Sequence, residues 1–97
     1  MPGYLVACIT WHDTESPRTY GNLVIESLRP YGGKYLARGA PVAQLEGEDA
    51  PKRLAIVEFP TPEAAQKWHA SSEYAPALKI RQQNATTHWI VVMGGME

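Results

Sequence analysis

The sequence predicts an α+β domain: a four-stranded antiparallel sheet with helices on one face. Three observations point there. Four segments rich in β-branched and aromatic residues lie at residues 4–11, 34–38, 53–59 and 88–93. Two amphipathic segments, each opened by a Ser-Pro or Thr-Pro pair, lie between them. The resulting order, strand, helix, strand, strand, helix, strand, is the ferredoxin-like βαββαβ pattern.

Tyr4 to Trp11 is apolar at almost every position, as expected of a strand covered on both faces. Ser16 followed by Pro17 reads as an N-cap with proline at the first helical position, so a helix runs from about Pro17 to Leu28. Tyr20, Leu23, Val24 and Leu28 fall near one stripe of that helix. Pro30 ends it and Gly32-Gly33 turn the chain. Lys34 to Arg38 is the second strand, and Pro41 to Leu45 is expected to extend it across a bulge or kink at Gly39. Glu46 to Pro51 is an acidic turn, and Arg53 to Phe59 the third strand. Thr61-Pro62 repeats the cap signal for a helix from Pro62 to Ala70. A further helical piece runs from Glu73 to Asn84, with Pro76 tolerated in its first turn. His88 to Met93 is the last strand.

Ninety-seven residues suit one domain over 1–97, and 20% charged residues with a net charge of −1 suit an ordinary soluble protein. The absence of a basic run argues against nucleic acid as a partner. No apolar stretch reaches membrane-spanning length, and Met1-Pro2-Gly3-Tyr4 lacks the features of a signal peptide. A lone cysteine, Cys8, can form neither an internal disulfide nor a thiolate metal site, so a reduced cytoplasmic setting is expected. Helices on one face leave the other sheet face bare. Yet Tyr4, Val6 and Cys8 are as apolar as Leu5, Ala7 and Ile9, and Leu54 and Ile56 alternate with Ala55, Val57 and Phe59. The economical cover is a second copy packed sheet to sheet, a homodimer.

Several segments together resemble the domain of unknown function 1330 family, within the dimeric α+β barrel superfamily. They are Gly3 to Ala7, Tyr31 to Gly39, Leu45 to Gly47, Val57 to Pro60 with Glu63 to Ala65, and Ser72 to Tyr74 with Arg81. The resemblance implies the fold and the dimer. It implies no single activity, because the superfamily includes cofactor-independent monooxygenases, isomerases, cyclases, dehydratases and haem proteins. The chain departs from the usual pattern at Ala40, where a second glycine often follows Arg-Gly, and at Thr10-Trp11-His12, near a strand end.

Arg38, set at a strand end, is the first candidate catalytic residue. Its guanidinium can clamp a carboxylate, enolate or phenolate in bidentate fashion. The plainer alternative is a structural ion pair, with Glu58 or with a carboxylate of a partner subunit. Glu58 lies on the strand face of Leu54 and Ile56 and, if buried, would serve as a general acid or base, its plainer alternative being a paired structural carboxylate. His12, beside Trp11 at the strand mouth, is the second candidate base, or else an exposed turn histidine. Tyr20, Tyr74, Arg81 and Trp11 are candidate substrate-binding residues. Tyr74 and Arg81, seven apart, share a helix face. With Tyr35, Trp68 and Trp89 the aromatics make a set able to line a flat apolar pocket between helices and sheet, the phenols as proton donors, and their plainer fate is core and dimer packing. His69 and His88 carry weaker readings as helix-end and strand-start residues. No His pair has metal-binding spacing and no nucleotide loop occurs, so neither metal nor cofactor is expected. The function expected is cofactor-independent proton-transfer chemistry on a small, partly apolar carbonyl or carboxylate compound. The alternatives are a non-catalytic ligand-binding or stress-associated dimer and a purely structural interaction domain.

Overall fold

The computed structural model describes residues 1–49 and 53–96. Strand β1 is Gly3–Trp11, helix α1 Ser16–Leu28, strand β2 Lys34–Gly39 and strand β3 Leu54–Phe59. Helix α2 is Pro62–His69, helix α3 Ala75–Asn84 and strand β4 Ala85–Gly94. The strands form one antiparallel sheet in the order β2-β3-β1-β4. This is the ferredoxin-like α+β arrangement that the element order predicts.

Helix entry is handled differently at the two proline signals. Thr61 caps α2, its Oγ1 accepting from the Ala64 amide at 3.1 Å, and Pro62 opens the helix. Ser16 does not cap α1. It is the first helical residue, and its hydroxyl donates to Asp13 at 2.7 Å. At the other end of α1 a short 3₁₀ turn, Arg29–Tyr31, closes on Gly32, whose φ of 69° is left-handed and whose amide donates to the Arg29 carbonyl.

The core lies between the helices and the inner sheet face. Leu5, Ala7, Val57 and Phe59 from the sheet meet Val24, Leu28, Ala65 and Trp68 from the helices, all buried. The Trp68 indole donates to Ser27 Oγ at 2.9 Å, and Ser27 donates to the Val24 carbonyl at 2.8 Å. A buried N–H is thereby satisfied inside an apolar contact.

Two elements differ from expectation. The chain leaves the sheet at Gly39, so residues 41–45 form no strand and are exposed. The bulge lies instead at Leu36, between Tyr35 paired with Val57 and Ala37 paired with Ile56. The last strand starts three residues earlier than expected, directly after α3, and carries its own irregularity opposite Cys8 and Ile9. The acidic turn expected over 46–51 is described only as far as Asp49, its last two residues lying outside the described residues.

No helix among the described residues covers the outer sheet face. Leu36, Trp89, Val91 and Met93 are exposed there, and Val6, Leu54 and Ile56 are half-buried.

Candidate functional site

The bulge at Leu36 shapes this site. Strict alternation would put Tyr35 and Arg38 on opposite faces. One extra residue between them puts both on the inner face, opposite Val57 and Ala55 respectively. The Arg38 guanidinium then lies 4.8 Å from the Tyr35 ring centroid. It also lies against α1 at Gly21, where a Cβ would stand 2.8 Å from Arg38 Nη1. A glycine in a helix interior is unfavourable by about 1 kcal/mol relative to alanine. Here the missing side chain is the space the arginine occupies.

Arg38 and Tyr35 line a small cavity of about 40 Å³ together with Trp11, Tyr20, Gly21 and Arg53. It shares Ile9, Trp11, Pro17 and Arg53 with an open cleft of about 460 Å³. On the core side, Tyr20 and Tyr35 also line a second cavity of about 30 Å³ that reaches Tyr74. The small cavities have room for a water or the oxygen end of a ligand, and the cleft has room for its body.

The polar groups form a chain. Tyr20 and Tyr74 hydroxyls are 2.6 Å apart. Arg81 Nε donates to Tyr74 Oη at 3.2 Å, and Arg81 Nη1 donates to Thr87 Oγ1. Trp11 packs on Tyr20 with ring centroids 5.2 Å apart. Arg81 is only 5% exposed, yet the ion pairs among the described residues are Arg29 with Glu26 and Lys34 with Glu58. Arg38, Arg53 and Arg81 thus have no carboxylate partner among the described residues. Burial, then the neighbouring Tyr74, pushes the Tyr20 phenol well above its ordinary value. Burial likewise raises Tyr35, opposed by the positive charge of Arg38. Both remain neutral hydrogen-bond donors at ordinary pH, facing unneutralised cations.

The structure therefore brings together Arg38, Tyr20, Tyr74, Arg81 and Trp11. His12 and Glu58 lie elsewhere. His12 is exposed beyond the end of β1, its Nε2 2.8 Å from Thr86 Oγ1. Glu58 projects from the outer face, accepting from Tyr4 Oη at 2.9 Å and pairing with Lys34 at 3.3 Å rather than with Arg38. Its strand parity, shared with Leu54 and Ile56, is the uncovered side of the sheet. His88 is held by Thr10 at 2.7 Å, and His69 ends α2 with its ring 5.7 Å from Tyr74. Tyr35, expected among the aromatics around a pocket, lines the cavity, and the bulge is what sets it beside Arg38. Arg53 is the site residue that the sequence marks only as the start of a strand, although its parity with Ala55 and Val57 points to the inner face.

Fold and site together define a ferredoxin-like α+β domain with a small cavity between helix α1 and the sheet, lined by Arg38, Arg53, Tyr20 and Tyr35, beside an open cleft that carries Arg53 and Asp13. The model of the domain of unknown function DUF1330 matches residues 2–95, and the chain belongs to that family. A search of curated proteins found no match. Among solved structures, the chain is similar to the RPA0582 protein of unknown function from Rhodopseudomonas palustris. The identity is 18% and the TM-score 0.73, over 99% of this chain and 83% of that one. It is also similar to SnoaB, a cofactor-independent oxygenase from Streptomyces nogalater, at 11% identity and a TM-score of 0.62, covering 99% and 94% of the two chains. A third is a dimeric protein of unknown function with a ferredoxin-like fold from Bacteroides fragilis, 13% identical with a TM-score of 0.57 over 97% and 95%. At these identities the likeness is one of fold.

Proposed function

We propose that this protein binds a small, partly apolar carboxylate compound in the cleft and catalyses cofactor-independent chemistry through an enol or enolate. The observation that carries this reading is the pair Arg38 and Arg53, two arginines at one cavity with no carboxylate partner among the described residues. Guanidinium groups so placed hold a carboxylate. Neutral phenols beside them donate hydrogen bonds to charge that develops on a neighbouring oxygen. With His12 and Glu58 directed elsewhere, no carboxylate or imidazole among the described residues lines the cavity at Arg38, and the carboxylate of the adjoining cleft is Asp13. The reactions that suit the site are therefore those in which oxyanion stabilisation is the main demand: decarboxylation of a 3-oxo acid, where loss of carbon dioxide leaves the enolate, or enol–keto tautomerisation with water carrying the carbon-bound proton, ahead of isomerisations, cyclisations or dehydrations that require a strong protein base. The reaction type in SnoaB, a cofactor-independent oxygenase, is compatible with a site of this kind.

The test is a thermal-shift screen of aromatic and aliphatic 2-oxo and 3-oxo acids against their methyl esters. Ligands that bind only the native state raise the melting temperature. The acids should stabilise the protein and the esters should not, and Arg38→Ala with Arg53→Ala should abolish the difference. Equal stabilisation by esters, or none by any acid, would refute the reading. A second reading, a ligand-binding protein without catalysis, is favoured by the absence, among the described residues, of a carboxylate or imidazole lining the cavity at Arg38. It predicts binding of the acids with no turnover.

The working unit in this reading is a homodimer formed through the outer sheet face. The exposed Leu36, Trp89, Val91 and Met93, on a face that no helix among the described residues covers, support it. The dimeric ferredoxin-like protein from Bacteroides fragilis supports it by analogy of fold. The free buried thiol of Cys8 suits a reducing cytoplasm.

A further inference from the structure

We infer that Arg81 and Tyr74 fix the direction of a hydrogen-bond chain so that Tyr20 presents its hydroxyl proton to a ligand oxygen, making the preferred ligand a 2-oxo acid rather than a simple carboxylate. The inference rests on the carboxylate-binding reading of the cleft and specifies the second group recognised there.

The argument is one of donors and acceptors. A guanidinium has only N–H groups and accepts nothing. Arg81 Nε therefore donates to Tyr74 Oη, 3.2 Å away. Tyr74 is 1% exposed, and its hydroxyl has one other partner among the described residues, Tyr20 Oη at 2.6 Å. If Tyr20 donated in that contact, the Tyr74 proton would have no acceptor among the described residues and would face only the core-side cavity, walled by Leu5, Val24, Val57 and Trp68, an unfavourable burial. Tyr74 therefore donates and Tyr20 accepts. Tyr20 then has a proton of its own and no acceptor for it among the described residues. Its side chain shares the core-side cavity with Tyr74, but of the two tyrosines it alone lines the cavity at Arg38. Each cavity is large enough for one oxygen atom and too small for a ring. A carbonyl or enol oxygen fits there while the carboxylate beside it meets Arg38 and Arg53.

The buried charge of Arg81 explains why the chain is polarised as well as ordered. Its hydrogen-bond partners among the described residues, Tyr74 and Thr87, are neutral hydroxyls. A cation that is not neutralised by a carboxylate draws electron density along the hydroxyls and strengthens the terminal donor. Arg81 and Tyr74 are positioning residues in this scheme. Tyr20 is the group that touches the ligand.

Two probes separate this from a packing role: phenylpyruvate, and 3-phenylpropanoate, which lacks the keto oxygen. Titration should show wild type preferring phenylpyruvate. Tyr20→Phe should weaken phenylpyruvate about tenfold, the value of one good hydrogen bond, and leave 3-phenylpropanoate within about twofold. Tyr74→Phe should reduce the same preference while Tyr20 remains in place. Equal losses for both probes, or no loss with Tyr20→Phe, would overturn the inference. The chain direction is also read without ligand. With tyrosine labelled at Cζ, the hydroxyl proton of Tyr74 should exchange more slowly than that of Tyr20, and an equal or reversed order overturns the assignment. If wild type binds neither probe, the cleft reading itself fails, and the exchange order still decides the direction of the chain.

Discussion

Arg38 lies over the ring of Tyr35, its Cζ 4.8 Å from the centroid, although the two stand three apart on a single strand. Only the bulge at Leu36 allows residues at that spacing to share a face. The stacking itself contributes about 0.5–1 kcal/mol at such an exposed site. Its larger effect is to hold a planar cation at the cavity mouth. Arg38→Lys keeps the charge and loses the plane. Phenylpyruvate affinity should fall roughly tenfold, the loss of one charge-assisted hydrogen bond of about 1.5 kcal/mol, while chemical denaturation shows a change within about 1 kcal/mol. Unchanged affinity would show that Arg38 does not touch the ligand.

Gly21 offers a substitution with opposite effects on stability and binding. A Cβ there meets the tip of Arg38 at 2.8 Å, and the flexible arginine can move aside. Gly21→Ala should therefore stabilise α1, by up to about 1 kcal/mol from helix propensity, and weaken ligand binding by displacing the guanidinium. Melting temperature and probe titration on the same sample test both signs. A variant that is more stable and binds equally well would detach Gly21 from the site.

Ser27 and Trp68 form a buried hydrogen bond between α1 and α2. Ser27→Ala leaves the indole N–H without that acceptor and should cost about 1–3 kcal/mol in urea denaturation. Trp68→Ala should cost about 3–5 kcal/mol through the cavity it leaves. If Ser27→Ala is neutral, Trp68 finds another acceptor on removal of the first.

His69 links stability to pH. Burial first, and then the charge of Arg81, lower its pKa below the ordinary histidine value. The folded state thus favours the neutral ring. Its contribution is fully present above the unfolded pKa near 6.5 and is lost as pH falls through that value toward the folded pKa. Denaturation midpoints should fall over that window in wild type and fall less in His69→Gln. An identical pH dependence in the two proteins would exclude His69 as the cause.

Self-association has a separate test. Sedimentation of wild type should give a dimer mass, and Val91→Glu, which puts a charge on the exposed outer face, should shift it toward monomer. A wild-type monomer mass at every concentration would rule out the sheet-to-sheet arrangement.

The order of elements was legible because each depends on local signals. Thr61-Pro62 announces α2, and Gly32 ends the turn after α1. The composition of the cleft was only partly legible, for a physical reason. Which face a strand residue occupies depends on register, and a bulge resets the parity for every residue beyond it. Nothing local to Leu36 signals that reset, so the sequence offers Tyr35 as a pocket aromatic without its stacking on Arg38, and offers Glu58 as a partner that Arg38 does not meet. Arg53 could be placed only once β2 and β3 were paired. The Tyr74 and Arg81 contact, by contrast, follows from helical spacing and was readable directly.

Strand β1 is the wall that both sides of this molecule have in common. Ala7, Ile9 and Trp11 border the cavity, while Val6 and Thr10 face the outer side. A single layer of backbone separates what a guest would touch from what a second chain would touch. Substitutions in this strand should therefore rarely have private effects. A change chosen to enlarge the binding space alters the pleat that presents the opposite surface, so ligand preference and assembly would drift together under selection.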